Sequence, residues 1–515
     1  MLLWLIFLPV TGGFIGWLCH LFLQRMVASV DAQSRWNKLP ICIAFMTIII
    51  SLILVINFWL DAQAIMDQGN SWVEEVNFEW IPLLGIRFHL ILDGLSIIVI
   101  TSTLIIVLFT IAYSSKESIN NTGLYYLCIL AMTSAVMMLF TVTDLFLLFF
   151  YWEAVAIPIY FLISLWGRRD SNSQLRFNGA SKFLIYTQIS SLLMLISIVS
   201  LALINWNLTG HWTFDYQILT KTPISSKTEY LLMLGFMAAF IVRIPFVPFH
   251  NWFIEAHIES STTGSMMISG LLLSTATFGL LRFVIPLFPN ASATIVPLIL
   301  ILALITVFYS ALLAFNQTDI KKLIAYVHIA LMGFVTAIIY SGSLIAYQGV
   351  VIQIIAINLA IVGMFMISGL LVECYSTRNI SQFTGLKERV KYLSSFTLFF
   401  ILAVLGIPGT ANFIGNYLML LGSFTTFSYS TILLALGLLM LSISFIIRMQ
   451  PIFHGGHDNN ETMKKCFLNI KELLLLSSLL AVLIFIGLYP KVILDMSYSV
   501  MNQTQHYITT ERMGE

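Results

Sequence analysis

Fourteen stretches of about 20 mostly apolar residues run through this chain, each long enough to cross the hydrocarbon core of a bilayer as a helix. They fall at 2–19, 41–60, 90–112, 123–140, 143–165, 181–203, 229–254, 264–286, 293–314, 320–341, 349–372, 393–421, 426–450 and 472–489. Of the 515 residues, 59% are apolar and only 10% charged, whereas about a quarter of a soluble domain is charged. The chain therefore reads as an all-α polytopic membrane protein. A net charge of +1 gives no reason to expect a nucleic-acid surface. There is no GxxxxGKS/T or GxGxxG loop for a nucleotide, and Gly12, Gly13 and Gly16 lie inside a span, where they suit close helix packing. Cys19, Cys42, Cys128, Cys374 and Cys466 are scattered singly without CxxC spacing and read as small buried hydrophobes. The first apolar run has no basic n-region or clear cleavage site and reads as a retained span.

Charge placement sets an orientation. Connections after odd-numbered spans hold Arg25, Arg35, Lys38, Lys116, Arg168, Arg169, Arg176, Lys182, Lys321, Lys322, Arg378, Lys387, Arg389, Lys391, Lys464, Lys465 and Lys471. The other side holds far fewer basic residues, and an acidic stretch with Asp67, Glu74, Glu75 and Glu79. Positive-inside logic puts the odd connections in the cytoplasm and both termini outside. The longer connections 61–89 and 204–228 are then external, the second with Trp206 and Trp212 near the interface.

Two spans are interrupted. In FMAAFIVRIPFVPFHNWFIEAH (236–257), Arg243 precedes Pro245 and Pro248; in VLGIPGTANFIGNYLML (404–420), Gly406, Pro408 and Gly409 loosen the backbone beside Asn412 and Asn416. Proline lacks an amide hydrogen and leaves helix carbonyls unpaired, and a mid-membrane arginine costs about 2.5–3.5 kcal/mol on insertion scales, so such groups mark transport or pairing. Broken helices in the two halves of a transporter point to its ion site. Glu153, deep in DLFLLFFYWE near Pro158, must be neutral or paired and suits a protonatable relay. Asp144, nine residues earlier, sits near a helix end, where a cap or an interfacial role is cheap. Arg243 is the candidate partner of Glu153, a fixed positive charge that cannot shuttle a proton. Lys182 is expected to project inward, and His328 can titrate near neutrality within its span. His250 and His257 lack an HExxH pattern and read as pore-mouth or interface polarity; no metal is expected. Asn412 and Asn416 can order water but take no net charge.

The chain resembles, over nearly its whole length, the antiporter-like subunit M family of bacterial respiratory complex I, the proton-translocating NADH–quinone oxidoreductase, whose mitochondrial counterpart is subunit 4. The carrying stretches are LDGLS (92–96), FFYWEAVAIPIYFLISLWG (149–167), KFLIYTQ (182–188), RIPFVPFHNWFIEAH (243–257), GLLRFVIPLFPNASA (279–293), QTDIKKLIAY (317–326) and LGIPGTANFIG (405–415). The resemblance implies fourteen core helices, with helices seven and twelve broken. It divides the chain into three N-terminal helices (1–112), two mutually inverted five-helix repeats (123–286 and 293–450), and a C-terminal helix with tail (472–515). It also implies a chain of protonatable groups across the membrane midplane, a bacterial inner-membrane location with periplasmic termini, and partners among the other membrane subunits and lipids. Flavin, iron–sulfur clusters and quinone belong to other subunits, so no cofactor is expected on this chain.

Glu153 matches the family's glutamate, and the proton path would comprise Glu153, Arg243, Lys182 and His328. Several positions depart from the pattern. Arg243 and Ser274 stand where lysines are expected, Leu331 and Ile357 where histidines are expected, Asn358 in place of glycine, and Asn416 in place of a glutamate. Ser274, Asn412 and Asn416 become water-ordering positions. Three readings follow: an active proton-translocating subunit, a structural subunit with a degenerate path, and a component of a cation/proton antiporter.

Overall fold

The computed structural model describes residues 1–26, 38–66, 72–117, 119–168, 172–383, 386, 390–454 and 468–512. Helices α1 (Leu2–Met26) and α2 (Leu39–Met66) are followed by a hairpin of β1 (Trp72–Ile81) and β2 (Ile86–Asp93). Then come α3 (Gly94–Ser114), α4 (Thr122–Leu139), α5 (Leu145–Ser164), α6 (Ser173–Thr209), α7 (Ser226–Arg243) and α8 (Asn251–Glu259). A long helix, α9 (Thr262–Leu287), is interrupted by two π-turns at Ile268–Leu272 and Leu280–Val284. The chain closes with α10 (Val296–Asn316), α11 (Ile320–Ile339), α12 (Leu344–Tyr375), α13 (Lys391–Leu405), α14 (Ala411–Phe424), α15 (Ser428–His454), α16 (Ile470–Leu488) and α17 (Lys491–Arg512).

Twelve helices among the described residues are long and apolar enough to cross a membrane. The two remaining stretches expected to span, 229–254 and 393–421, are the interrupted ones, and each is divided: α7 from α8, and α13 from α14. The all-α membrane architecture holds, and one two-stranded hairpin is added to it. Residues 90–93, read as the start of a span, belong to β2, because Asp93 ends the strand and caps α3 by accepting from the Ser96 amide at 2.9 Å. The alternation of Glu75, Asn77 and Glu79 with Val76 and Phe78 in β1 is the strand signal, and Phe78 stacks on Phe88 across the hairpin at 5.0 Å. The C-terminal tail is also a helix. In α17 the buried residues Ile493, Met496, Ser497, Val500, Met501 and Thr504 recur at helical spacing and pack it against α3 and α12. Cysteine usage differs too: Cys42 is exposed and Cys374 is disulfide-bonded.

The centre of the bundle is α12, buried along its whole apolar window, with α9 and α11 beside it almost as deeply buried. By contrast α1, α2, α15 and α16 turn apolar residues such as Trp4, Ile53, Leu439 and Phe485 outward, as lipid- or protein-facing helices must. Glycine lets α14 approach α12 closely. A Cβ at Gly349 would lie 2.7 Å from the Met419 amide nitrogen, and Gly415 and Gly422 face Gln353 and Ala346 on the same seam.

Candidate functional site

At the first break α7 stops at Arg243. Pro245 cannot donate, and the Phe246 amide bonds Ile241 O at 3.3 Å instead of Val242 O. The freed Val242 carbonyl accepts from the Trp252 indole at 2.9 Å, which ties α8 back onto α7. Arg243 itself is 1% exposed. Its Nη2 donates to Trp152 O at 3.0 Å, its Cζ lies 3.4 Å over the Trp152 ring, and Nη1 makes a long contact with Thr275 Oγ1 at 3.5 Å. A desolvated cation–π contact contributes about 2 kcal/mol or more, so carbonyl and indole replace a carboxylate as the partners of this charge.

The direct Arg243–Glu153 pair expected from the sequence is not formed: among the described residues no ion pair joins them. Trp152 takes the arginine, and the half-buried Glu153 instead accepts from the hydroxyl of Ser191 on α6.

Lys182 departs from its expected inward placement. Its side chain is 51% exposed and Nζ lies 2.5 Å from Glu255 Oε1, at an open cavity of about 510 Å³ lined also by Asn178, Ser181 and Glu259. Nine residues after the start of α6 at Ser173, the long lysine stem reaches outward and its charge stays in contact with water. His328 is fully buried, with neither ring nitrogen hydrogen-bonded and the Phe253 ring at 5.7 Å. Ser274 is buried, its hydroxyl turned back to Leu271 O at 2.7 Å within α9.

The second break is built by Gly406 (φ 80°), Pro408 and Gly409 (φ 94°), the glycines taking left-handed conformations that residues with a side chain resist. Gly406 ends α13 by donating to Ala403 O at 3.0 Å, and α14 starts at Ala411. Asn412 Nδ2 makes a 3.4 Å bond to Ala356 O of α12, while Asn412 Oδ1 and Asn416 Oδ1 are buried without partners. Gln353 and Asn358 of α12 are buried with all their amide atoms unpaired. Leu331 and Ile357 lie buried in the apolar core.

Sequence reasoning passed over Gln353, although an amide midway along a 32-residue, mostly apolar helix was a usable signal. It also assigned Lys321 to a cytoplasmic connection. In the structure Lys321 is 2% exposed and its Nζ donates to Ser260 O, Ser261 O and Ser265 Oγ at 2.9–3.1 Å. Nothing local distinguishes it from Lys322, because only the fold brings the α8–α9 junction over it. His257 is also deeper than expected: it is fully buried, stacked 4.7 Å from Phe365 and 3.2 Å from Ser269 Oγ.

On the hairpin face, Thr141–Leu145 bonds β2 on one side and residues 214–216 on the other, so a small sheet holds the start of α5. Asp144 caps α5, accepting from the backbone amides of Phe146 and Leu147 and from the Arg87 amide of β2. His89 spans this sheet, Nδ1 to Asp215 Oδ2 at 2.7 Å and Nε2 to Glu75 Oε1 at 2.9 Å. Burial opposes a charged His89, but the hydrogen bonds and charges of Asp215 and Glu75 outweigh it and raise its pKa above 6.5. Asp215 is also penalised by burial, yet its bond to His89 brings it below the usual carboxylate value. Burial pushes Asp144 up to about 6 against its backbone donors.

The signs follow. The raised His89 stabilises the sheet fully below its ordinary pKa, and this is lost as pH rises through its folded value. Asp144 loses stability over the range from its ordinary value to about 6, and Asp215 only as pH falls through its depressed value. Amide exchange in 86–93, corrected for intrinsic rates, is therefore expected to accelerate as pH rises beyond the ordinary histidine value of 6.5. His89→Asn should flatten that rise. An equal acceleration in the variant would rule out His89 as the cause.

Two broken helices, the first ending on a buried arginine, in a bundle centred on one fully buried helix, have the form of an antiporter-like membrane protein. The chain belongs to the NADH:quinone oxidoreductase/Mrp antiporter membrane family, whose sequence profile matches residues 142–444. It is 40% identical to NADH-quinone oxidoreductase subunit M of Escherichia coli K12 over 99% of both chains. It is 39% identical to the subunit M of Pseudomonas aeruginosa over 98% of this chain and 97% of that one. A chain of the respiratory complex I from Thermus thermophilus superposes with a TM-score of 0.85 at 23% identity, covering 99% of this chain and 100% of that one. A chain of an archaeal membrane-bound sulfane sulfur reductase gives 0.82 at 16%, covering 98% and 99%. At those identities the two structures establish the fold.

Proposed function

We propose that this chain is a membrane subunit of a bacterial proton-translocating NADH–quinone oxidoreductase and carries a proton path driven by quinone reduction elsewhere in the complex. It sits in the inner membrane with both termini periplasmic, among other antiporter-like membrane subunits and lipids. The electron carriers belong to its partners and it binds no redox cofactor. The regions 123–286 and 293–450 act as its two inverted halves. Glu153 is the proton-exchanging group of the first half, and Arg243, which keeps its own proton, supplies a fixed positive field beside it.

The observation that carries this reading is the set of buried, unpaired polar atoms in an otherwise apolar second half: both nitrogens of His328, the amides of Gln353 and Asn358, and the oxygens of Asn412 and Asn416. A buried polar group without a partner costs about 1–3 kcal/mol, and buried water normally satisfies such groups with about three hydrogen bonds each. Water on these atoms forms a path that replaces the ionisable side chains missing at Ser274, Leu331, Ile357 and Asn416. Lys182, exposed beside Glu255, serves the mouth of the first half.

A second reading has its own support. Ser274 bonds its own helix, and Leu331 and Ile357 are buried in the core, as in a subunit retained for structure. A structure of the assembled complex that resolves waters separates the two. Ordered water touching His328, Gln353, Asn358 and Asn416 is expected. A dry gap closed by Leu331 and Ile357 in every turnover state favours the structural subunit.

A further inference from the structure

Ser191 lies fully buried on α6, and its Oγ faces two acceptors, Glu153 Oε1 of α5 and, at 3.0 Å, the Gln188 carbonyl of its own helix. A serine hydroxyl has one hydrogen to donate and two lone pairs with which to accept. It can therefore serve only one of these acceptors at a time. The neighbouring hydroxyls are committed differently: Ser190 bonds Thr187 O at 2.9 Å, and Thr187 bonds Phe183 O at 2.9 Å. Among the described residues no ion pair reaches Glu153, and Arg243 is held on Trp152.

We infer that Ser191 is the positioning residue of Glu153 and holds its carboxyl group in one orientation through both protonation states. The inference rests on the reading of Glu153 as a proton-exchanging group. With Glu153 ionised, the Ser191 hydroxyl donates to Oε1. When a proton arrives on Glu153, the Ser191 hydrogen turns to the Gln188 carbonyl, and the freed lone pair accepts the new carboxyl O–H. No covalent bond of Ser191 is made or broken, and the arriving proton stays on Glu153 until water removes it. A fixed cation would serve the ionised form alone, whereas a hydroxyl serves both. That is the chemical difference between a locked carboxylate and one that turns over.

The test uses the assembled complex in proteoliposomes. Infrared difference spectra recorded across the pH range identify the carboxyl stretch of protonated Glu153 as the band lost in Glu153→Gln. Ser191→Ala is expected to shift that band, because its hydrogen-bond partner is gone. It should also move the pH profile of proton uptake by about one unit, the size of one hydrogen bond to a charged group. Ser191→Thr, which keeps the hydroxyl, should restore both. An unmoved band and profile in Ser191→Ala, with Glu153→Gln defective, overturns the inference and leaves the Glu153 reading standing. The inference also fails if Ser191→Thr behaves like Ser191→Ala, since packing then explains the loss. Wild-type proton uptake in Glu153→Gln overturns both readings together.

Discussion

Gly349→Leu is expected to remove most of the chain from the membrane. The α12–α14 seam is closed by backbone: a Cβ at position 349 meets the Met419 nitrogen at 2.7 Å and Leu418 Cβ at 2.9 Å. Overpacking costs about 1–3 kcal/mol where neighbouring side chains can shift. Here the nearest obstacle is a main-chain atom, and α12 is enclosed along its central apolar window, so relief requires moving a helix. The second break hangs from α14, so the same displacement would pull Asn412 from Ala356 O. Gly210→Ala is the control. Gly210 has φ 74° but open space around its Cβ position, so the change costs only the left-handed penalty of about 1–2 kcal/mol. Membrane-fraction abundance and detergent melting temperature should separate the two variants widely. Equal abundance would show that the seam can open.

Much of the bundle was legible because apolar length and charge bias report directly on membrane crossing. Both helix breaks were legible because proline and left-handed glycine act locally. What stayed hidden depends on partners distant in sequence. The hairpin was masked because β2 runs straight into the apolar start of α3, so hydropathy alone sees one segment. Arg243 and Glu153 were matched by charge, but an aromatic ring and a carbonyl from Trp152 reach the arginine first, and no pattern in the chain announces that competition. Ser191 could not be singled out from a helix rich in serine; only its register against α5 aims it at Glu153. Lys321 looked like one more cytoplasmic lysine until the α8–α9 junction closed over it. Gln353 and Asn358 were visible as amides in an apolar helix, but their lack of partners is a property of the packed core.

The largest functional effect is expected at Glu153. Glutamine keeps the shape and can still meet the Ser191 hydroxyl, so Glu153→Gln should assemble normally and remove only the ionisable group. If the first half exchanges protons there, the variant loses that exchange. The direct measurement is the number of protons moved per electron from NADH to quinone, in proteoliposomes holding the complete complex at matched turnover. A clearly lower ratio in Glu153→Gln than in the unaltered complex is the predicted result. An unchanged ratio, with the variant chain fully incorporated, would contradict the assignment of a working proton path to this subunit.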